Sequence, residues 1–260
     1  MGDEITMDSR IASLGNRVST TTPRTHEEEE RQRVAGLLAR VCIFKDLDEV
    51  ALTDLTRRMV IRKVQMHASI VAQDEIGEAL FVMLSGRAKV TLVAESGREV
   101  TLSVLRPADF FGEMSIFDGA PRSANVVALE PVTVLALGKA DLMTHLRAYP
   151  STAINLAAEL SRRLRRADEI IARLALQDVE GRLVAQLLEL AQEDGVEIPD
   201  GLLIRRRPTQ QELANMVGSC RETISRTFNM LARRGLITPR GRSLLVTRRL
   251  IDHKGETKAA

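Results

Sequence analysis

Pro208-Thr209-Gln210-Gln211-Glu212-Leu213-Ala214, followed by Ser219-Cys220-Arg221-Glu222-Thr223-Ile224-Ser225-Arg226, decides the reading of this chain. Leu213, Ala214 and Val217 form the apolar stripe of a first short helix. Gly218 supplies a turn, where a residue at positive φ is needed. Ile224, Phe228 and Leu231 recur at helical spacing and give a second helix its buried face. Arg221, Glu222, Ser225 and Arg226 fall on the other side, toward that helix's N-terminal end. The pattern is a helix-turn-helix, and this is the end that enters a major groove. Arg matches guanine O6 and N7 bidentately, and Glu accepts from cytosine N4. The plainer alternative is a surface helix of mixed charge. Against it, the chain between Gly201 and Leu250 holds eleven Arg and only two acidic residues, Glu212 and Glu222. So one-sided a stripe is the electrostatic footprint of phosphate binding.

The whole chain conceals this bias. It carries 37 Lys+Arg against 35 Asp+Glu, a formal charge of +2, so the asymmetry between segments matters more than the sum. With 260 residues, 44% of them hydrophobic, it can build two domains with separate cores. Aromatics make up 3%, with no Trp, which disfavours stacking on single strands and favours a reader of duplex DNA. Cys42 and Cys220 form no C-x-x-C pair, and His26, His67, His145 and His253 are scattered, so neither a disulfide framework nor a metal site is expected. No apolar run suggests a signal peptide or a membrane span, which implies a cytoplasmic protein. No P-loop or nucleophile–base pair suggests an enzyme.

Residues 1–30 lack a sustained apolar period and include Ser19-Thr20-Thr21-Thr22-Pro23 and Glu27-Glu28-Glu29-Glu30, the composition of a disordered tail. The Thr run could accept phosphate, although a plain solvated tail is the favoured reading. Two short helices are expected around Val34–Val41 and Leu47–Leu55. Short β-branched runs follow at 69–71, 79–84, 88–93, 100–105, 125–129 and 132–137, separated by Gly, Ser and Pro, and predict a β-roll or barrel. From Pro150 to about Leu176, the residues Ala153, Ala157, Leu160, Leu164, Ala167, Ile171 and Leu174 alternate spacings of four and three. That narrow seam with charged flanks predicts a parallel two-helix coiled coil rather than a helix packed on its own domain. After Asp178 a further helix patterned by Leu183, Leu187, Leu188, Leu190 and Ala191, a strand at Leu202–Ile204 and a two-strand wing around Arg240-Gly241-Arg242 complete the pattern. The expected boundaries are a tail at 1–30, a sensor at 31–149, a dimer helix at 150–178, a DNA-binding domain at 179–250 and a frayed tail at 251–260.

One loop in the β region stands apart. Phe111-Gly112-Glu113-Met114-Ser115 leads to Asp118-Gly119-Ala120-Pro121-Arg122-Ser123-Ala124. Gly112 permits close backbone approach, Arg122 offers a fork for phosphate, Ser123 adds a donor, and Glu113 can accept from a sugar hydroxyl. The alternative is a solvated turn carrying an Arg122–Glu113 ion pair.

In this order of parts the chain resembles the cAMP receptor protein/FNR (CRP/FNR) family of bacterial transcription regulators from about residue 34 to 250. The resemblance rests on Gly112-Glu113 through Arg122-Ser123, the long helix with Leu176–Leu183, and Arg221-Glu222-Thr223 with Arg226. It implies that Glu113, Arg122 and Ser123 hold a ribose and cyclic phosphate, and that the two Arg and the Glu read a TGTGA half-site. Where cAMP-binding members carry Thr and Ser on the dimer helix, this chain has Ala167 and Asp168. Ala has no hydrogen-bonding side chain, and an ionised Asp only accepts, as from a base amine. Ala68 and Ala108 stand where the family often has turn glycines. The cysteine cluster of iron–sulfur members is absent.

The sequence therefore predicts an α+β chain: a cyclic-nucleotide-binding-like β-roll, a long dimerisation helix and a C-terminal winged helix-turn-helix. The candidate DNA contacts are Thr209, Gln210, Gln211, Ser219, Arg221, Glu222, Ser225 and Arg226. The candidate effector contacts are Gly112, Glu113, Met114, Arg122, Ser123, Ala167 and Asp168, and the implied effector is a cyclic mono- or dinucleotide. The expected partners are palindromic duplex DNA, a second copy of the chain and RNA polymerase, with no membrane. The rivals are a ligand-independent regulator controlled by level or by phosphorylation of the tail, and a nucleotide-sensing regulatory subunit of an enzyme.

Overall fold

The computed structural model describes the backbone of residues 26–257 and the side chains of residues 32–252. The Thr20-Thr21-Thr22 reading lies outside the described residues. Helices α1 (His26–Leu38) and α2 (Glu49–Arg58) open the described chain. Helix α1 thus begins inside the segment expected to be a tail. Val34, Ala35 and Leu38 anchor it in the core.

Eight strands then form two four-stranded antiparallel sheets. In chain order they are β1 (Val60–Val64), β2 (Ser69–Val71), β3 (Ala79–Ser85), β4 (Ala88–Val93), β5 (Glu99–Leu105), β6 (Phe110–Phe111), β7 (Asn125–Ala128) and β8 (Val132–Gly138). One sheet has the order β1-β8-β3-β6 and the other β2-β7-β4-β5. Strands β3 and β8 read as continuous apolar runs because their sheet is covered on both faces. Phe81, Met83, Val132, Val134 and Ala136 point into the roll, where they meet Val71, Ala88, Val126 and Ala128. Leu80, Val82, Leu135 and Leu137 point the other way, onto α1, α2 and the helices that follow the roll. The short strands β1 and β6 were not expected from the sequence, nor was helix α4 (Lys139–Ala148).

Between β6 and β7 lies a single short helix, α3 (Met114–Asp118). After α4, helix α5 runs from Pro150 to Leu176, with Pro at its first turn, where a missing N–H costs nothing. Its N-terminal turns pack on the roll through buried Thr152, Asn155 and Leu156; Asn155 donates to Asp46 at 2.8 Å. Beyond them the helix leaves the roll's core, and Leu164 and Ile171 are 64% and 63% exposed.

Asp178 caps helix α6 (Val179–Asp194), whose Leu183, Leu187, Leu188, Leu190 and Ala191 enter a second core. Strands β9 (Gly195–Ile198) and β10 (Gly201–Ile204), helices α7 (Gln210–Val217) and α8 (Arg221–Arg233), strands β11 (Ile237–Arg240) and β12 (Ser243–Thr247), and helix α9 (Arg248–Thr257) complete that domain. The expected two-strand wing is the edge of a four-stranded sheet, β11-β12-β10-β9. The expected frayed end is helix α9 as far as Thr257, because Leu250 and Ile251 anchor it in the second core. No helix among the described residues is long and apolar enough to cross a membrane.

Candidate functional site

Helix α7 starts at a reciprocal cap. Thr209 Oγ1 accepts from the Glu212 N–H at 3.2 Å, and the Thr209 N–H donates to Glu212 Oε2 at 2.6 Å. The Thr209 oxygen expected at DNA is therefore already engaged as a cap. Gln210 is half-buried, and Gln211 reaches Asn215 at 2.9 Å. Gly218 ends the helix at φ 69°, the left-handed turn the sequence required, and the half-buried Ser219 returns its N–H to Ala214 O. On α8, Ile224, Phe228 and Leu231 are buried in the second core, and Arg221, Glu222 and Arg226 face solvent with Ser225 half-buried between them. The Glu222 carboxyl is held below the usual range by its own backbone amide, then by the Cys220 thiol, with Arg221 and Arg226 adding to the effect. It is thus an ionised acceptor beside two cations.

The eleven Arg divide in two. Arg206, Arg234, Arg240 and Arg248 form ion pairs with Glu130, Glu180, Asp200 and Glu197. The other seven carry no ion pair among the described residues, and they include Arg221 and Arg226. Three of the seven cluster at the wing. The Arg207 N–H donates to Arg242 O at 3.0 Å, Ser243 Oγ donates to Arg205 O at 3.2 Å, and the Arg207 guanidinium lies 6.0 Å from the Phe228 ring of α8. Sequence reasoning counted Arg205, Arg207 and Arg242 but assigned them no site. The Arg-Gly-Arg at a hairpin tip was the available signal.

In the roll, Gly112 follows β6 at φ 83°, and the chain turns through Glu113 into α3. Arg122 is 7% exposed and points back under this turn. Its Nη1 donates to Gly112 O at 2.5 Å and to Ser115 Oγ at 2.9 Å, and its Nη2 donates to Ala79 O at 2.8 Å. A Cβ on Gly77 or Gly112 would collide with the guanidinium, so both glycines are needed for the cradle. Burial lowers the Arg122 pKa, opposed by the charge of Glu113.

Glu113, 3% exposed, does not pair with Arg122, and the loop is not a solvated turn. Its carboxylate receives Arg163 Nη1 from α5 at 3.1 Å. Arg163 also donates to Phe110 O at 2.8 Å and to Glu159 at 3.3 Å, and lies 4.2 Å over the Phe110 ring. The pair forms across elements because Arg163 is held over β6, while Arg122 is occupied by carbonyls. Arg163 was missed from the sequence; its place one helical turn before Ala167 was the signal. Ser123 is exposed, its Oγ 3.7 Å from the sulfur of the half-exposed Met114. Ala167 and Asp168 are exposed on α5. Of the two alanines at turn positions, Ala108 has φ 75°, whereas at the other turn the left-handed residue is His67, at φ 67°, and not Ala68.

Roll and DNA-binding domain meet through polar contacts. Asn215 of α7 donates to Glu99 of β5 at 3.2 Å, Arg106 pairs with Glu193 and Asp194 at 3.1 and 2.8 Å, and Arg173 of α5 pairs with Glu189 of α6. A cavity of about 740 Å³ lies between β5, α5 and α6–α7, with Leu102, Ile170, Leu174 and Met216 among its walls.

Residues 61–149 match the family model of the cyclic nucleotide-binding domain, and residues 181–250 that of the Crp-like helix-turn-helix domain. The chain is 34% identical over 211 residues to a CRP-like cAMP-activated global transcriptional regulator of Mycobacterium tuberculosis, covering 81% of this chain and 94% of the relative. It is 34% identical over 188 residues to the cAMP-activated global transcriptional regulator CRP of Escherichia coli, covering 72% and 89%. Its fold superposes on a CRP/FNR-family regulator of Thermus thermophilus with a TM-score of 0.63 at 28% identity, covering 76% and 98% of the two chains. It also superposes on the c-di-GMP-responsive regulator CLP of Xanthomonas campestris with a TM-score of 0.69 at 23% identity, covering 77% and 99%, a likeness of fold alone. The chain belongs to the CRP/FNR family of DNA-binding transcription regulators.

Proposed function

We propose that this protein acts as a homodimer that reads a two-fold palindrome with TGTGA-like half-sites, and that a nucleotide in the roll adjusts the pose of its recognition helices. The observation that carries the DNA reading is the start of α8: Arg221, Glu222 and Arg226 are exposed, and neither Arg has an ion-pair partner among the described residues. Arg205, Arg207 and Arg242 beside the same helix add cations suited to flanking phosphates. The exposed seam on α5 supports the dimer, since a helix with Leu164 and Ile171 mostly in water lacks a partner for its apolar stripe. A dimer would present its two recognition helices to half-sites about one helical turn apart. DNA and RNA polymerase are the partners this reading implies.

For the effector, the residues present fit the phosphate–sugar end of a nucleotide. Gly77 and Gly112 cradle a buried guanidinium, Glu113 is a buried acceptor, and Ser123 is an exposed donor at the rim. Relatives described as cAMP-activated support a cyclic nucleotide as the ligand class. A second reading, a roll that serves only as scaffold, has one observation in its favour. Arg122 and Glu113 already have partners within the chain, Gly112 O, Ser115 and Ala79 O for the guanidinium and Arg163 for the carboxylate. Fluorescence anisotropy on a TGTGA palindrome with cAMP, cGMP and c-di-GMP decides between them. The sensor reading expects one nucleotide to change the affinity, and Arg122→Gln to abolish that response while basal binding persists. An unmodified protein that binds tightly and responds to none of the three leaves the scaffold reading.

A further inference from the structure

The exposed stripe on α5 has a defined register. Spacings of four and three place Ala157, Leu164 and Ile171 at the a positions of a heptad, and Ala153, Leu160, Ala167 and Leu174 at the d positions. The flanking g positions are then Leu156, Arg163 and Ile170, and the e positions are Ile154, Ser161, Asp168 and Ala175. The structure treats the two flanks differently. The g flank lies on its own protomer: Leu156 is buried, Ile170 is half-buried and lines the interdomain cavity, and Arg163 reaches the roll. The e flank is open along its whole length.

In a parallel pair, a g residue faces the e residue five positions later on the other helix. Arg163 is the one charged g residue of this stretch and Asp168 the one charged e residue, and they are five apart and opposite in sign. An antiparallel pair would instead set g against g and e against e, bringing like charges together. Arg163 can accommodate another acceptor. Its Nε and one proton each from Nη1 and Nη2 serve Glu159, Glu113 and Phe110 O, which leaves two of its five N–H groups, and its side chain is 35% exposed. Asp168 is exposed and has no ion-pair partner among the described residues.

We propose that Asp168 of the partner subunit accepts from the open edge of Arg163, closing a Glu113–Arg163–Asp168 triad across the dimer, twice by symmetry. The triad fixes the parallel register of the helices. It also makes the buried acceptor of the nucleotide cassette part of the subunit interface, because one guanidinium serves both carboxylates. Asp168 thereby becomes a residue of helix pairing rather than a reader of a base. This inference rests on the dimer reading above.

Sedimentation equilibrium of the full chain tests it, with Asp168→Asn, Arg163→Gln and the double variant. Two equivalent exposed pairs are lost per dimer, so Asp168→Asn is expected to weaken dimerisation roughly three- to tenfold. In the Arg163→Gln background the same change is expected to have no further effect. Should Arg163→Gln fail to fold, Asp168→Lys replaces it, and is expected to weaken the dimer more than Asp168→Asn does. An Asp168→Asn protein that dimerises like the unmodified chain, effects that simply add, or Asp168→Lys no worse than Asp168→Asn would each overturn the triad while leaving the dimer standing. An unmodified chain that sediments as a monomer would remove the dimer reading, and the triad with it.

Discussion

At the scale of single residues, the structure separates side chains that hold the fold from those that face solvent. Thr209 and Glu212 share hydrogen bonds with the backbone at the start of α7, whereas Arg221, Glu222 and Arg226 point into solvent. Arg226→Ala is expected to lower affinity for a cognate palindrome by about 1–3 kcal/mol, the worth of one bidentate base contact, and to change affinity for random DNA little. Anisotropy on both duplexes measures this; equal losses would make Arg226 a phosphate contact. Ala108 illustrates a local misfit. It occupies the third position of the turn Arg106-Pro107-Ala108-Asp109, with the Asp109 N–H on Arg106 O at 3.0 Å and φ at 75°. A residue with a Cβ costs about 1–2 kcal/mol there, partly offset in glycine by the greater entropy of its unfolded chain. Ala108→Gly is therefore expected to stabilise the protein by about 0.5–1 kcal/mol, read as a higher urea midpoint.

At the scale of elements, helix α5 has two halves. The first is tied to the roll at its junction with α4, where the buried His145 meets the edge of Phe44 and contacts Thr152 Oγ1 at 3.2 Å. Burial holds the His145 imidazole below its ordinary value of about 6.5, opposed by Asp54 and assisted by Arg58. The native state thus binds this proton less readily than the unfolded chain does. His145 therefore makes no demand on stability above about pH 6.5 and weakens the fold as pH falls below that value. Urea midpoints at pH 7.5 and 5.0 are expected to differ more in the unmodified protein than in His145→Gln. The second half of α5 carries the seam. Leu164→Lys places a charge at a position 64% exposed within one chain, so folding is expected to survive while the protein sediments as a monomer and loses its preference for a palindrome. A dimer that persists would place the contact elsewhere.

At the scale of the whole molecule, charge is sorted by location. Four of the eleven Arg between Gly201 and Leu250 are held in ion pairs with nearby carboxylates, one of them Glu130 of the roll, so only seven are free to meet phosphate. If half of the seven in each protomer of a dimer reach DNA, log K should fall with log salt with a slope near −6, since each neutralised phosphate contributes about −0.9. A slope near zero in a salt titration would contradict a basic DNA-facing surface. The seam between roll and DNA-binding domain is also largely ionic, through Arg106, Glu193 and Asp194, with Asn215 on Glu99. Such a seam lets the two domains change pose at modest cost.

What the sequence by itself determined was whatever depends on local periodicity and turn chemistry. Six of the eight roll strands, β10 and the two wing strands, the limits of α5, the start of α6, the left-handed turn at Gly218 and the outward face of α8 follow from residues close in the chain, because pleat, helical repeat and positive φ are local constraints. Strand β1 escaped because Val60–Val64 lies at a sheet edge, largely exposed, and shows no apolar alternation; α9 escaped because its anchors are only Leu250 and Ile251 in an otherwise polar end. Only the tertiary structure decided where the charges of the cassette go. The Arg122–Glu113 pair looked natural from ten residues of sequence. In the folded chain, Arg122 instead finds carbonyls on β3 and at Gly112, and Glu113 finds Arg163, fifty positions away. A buried charge is satisfied by whatever donors and acceptors packing brings to it, and that choice is made by distance in space, which spacing in the chain does not encode.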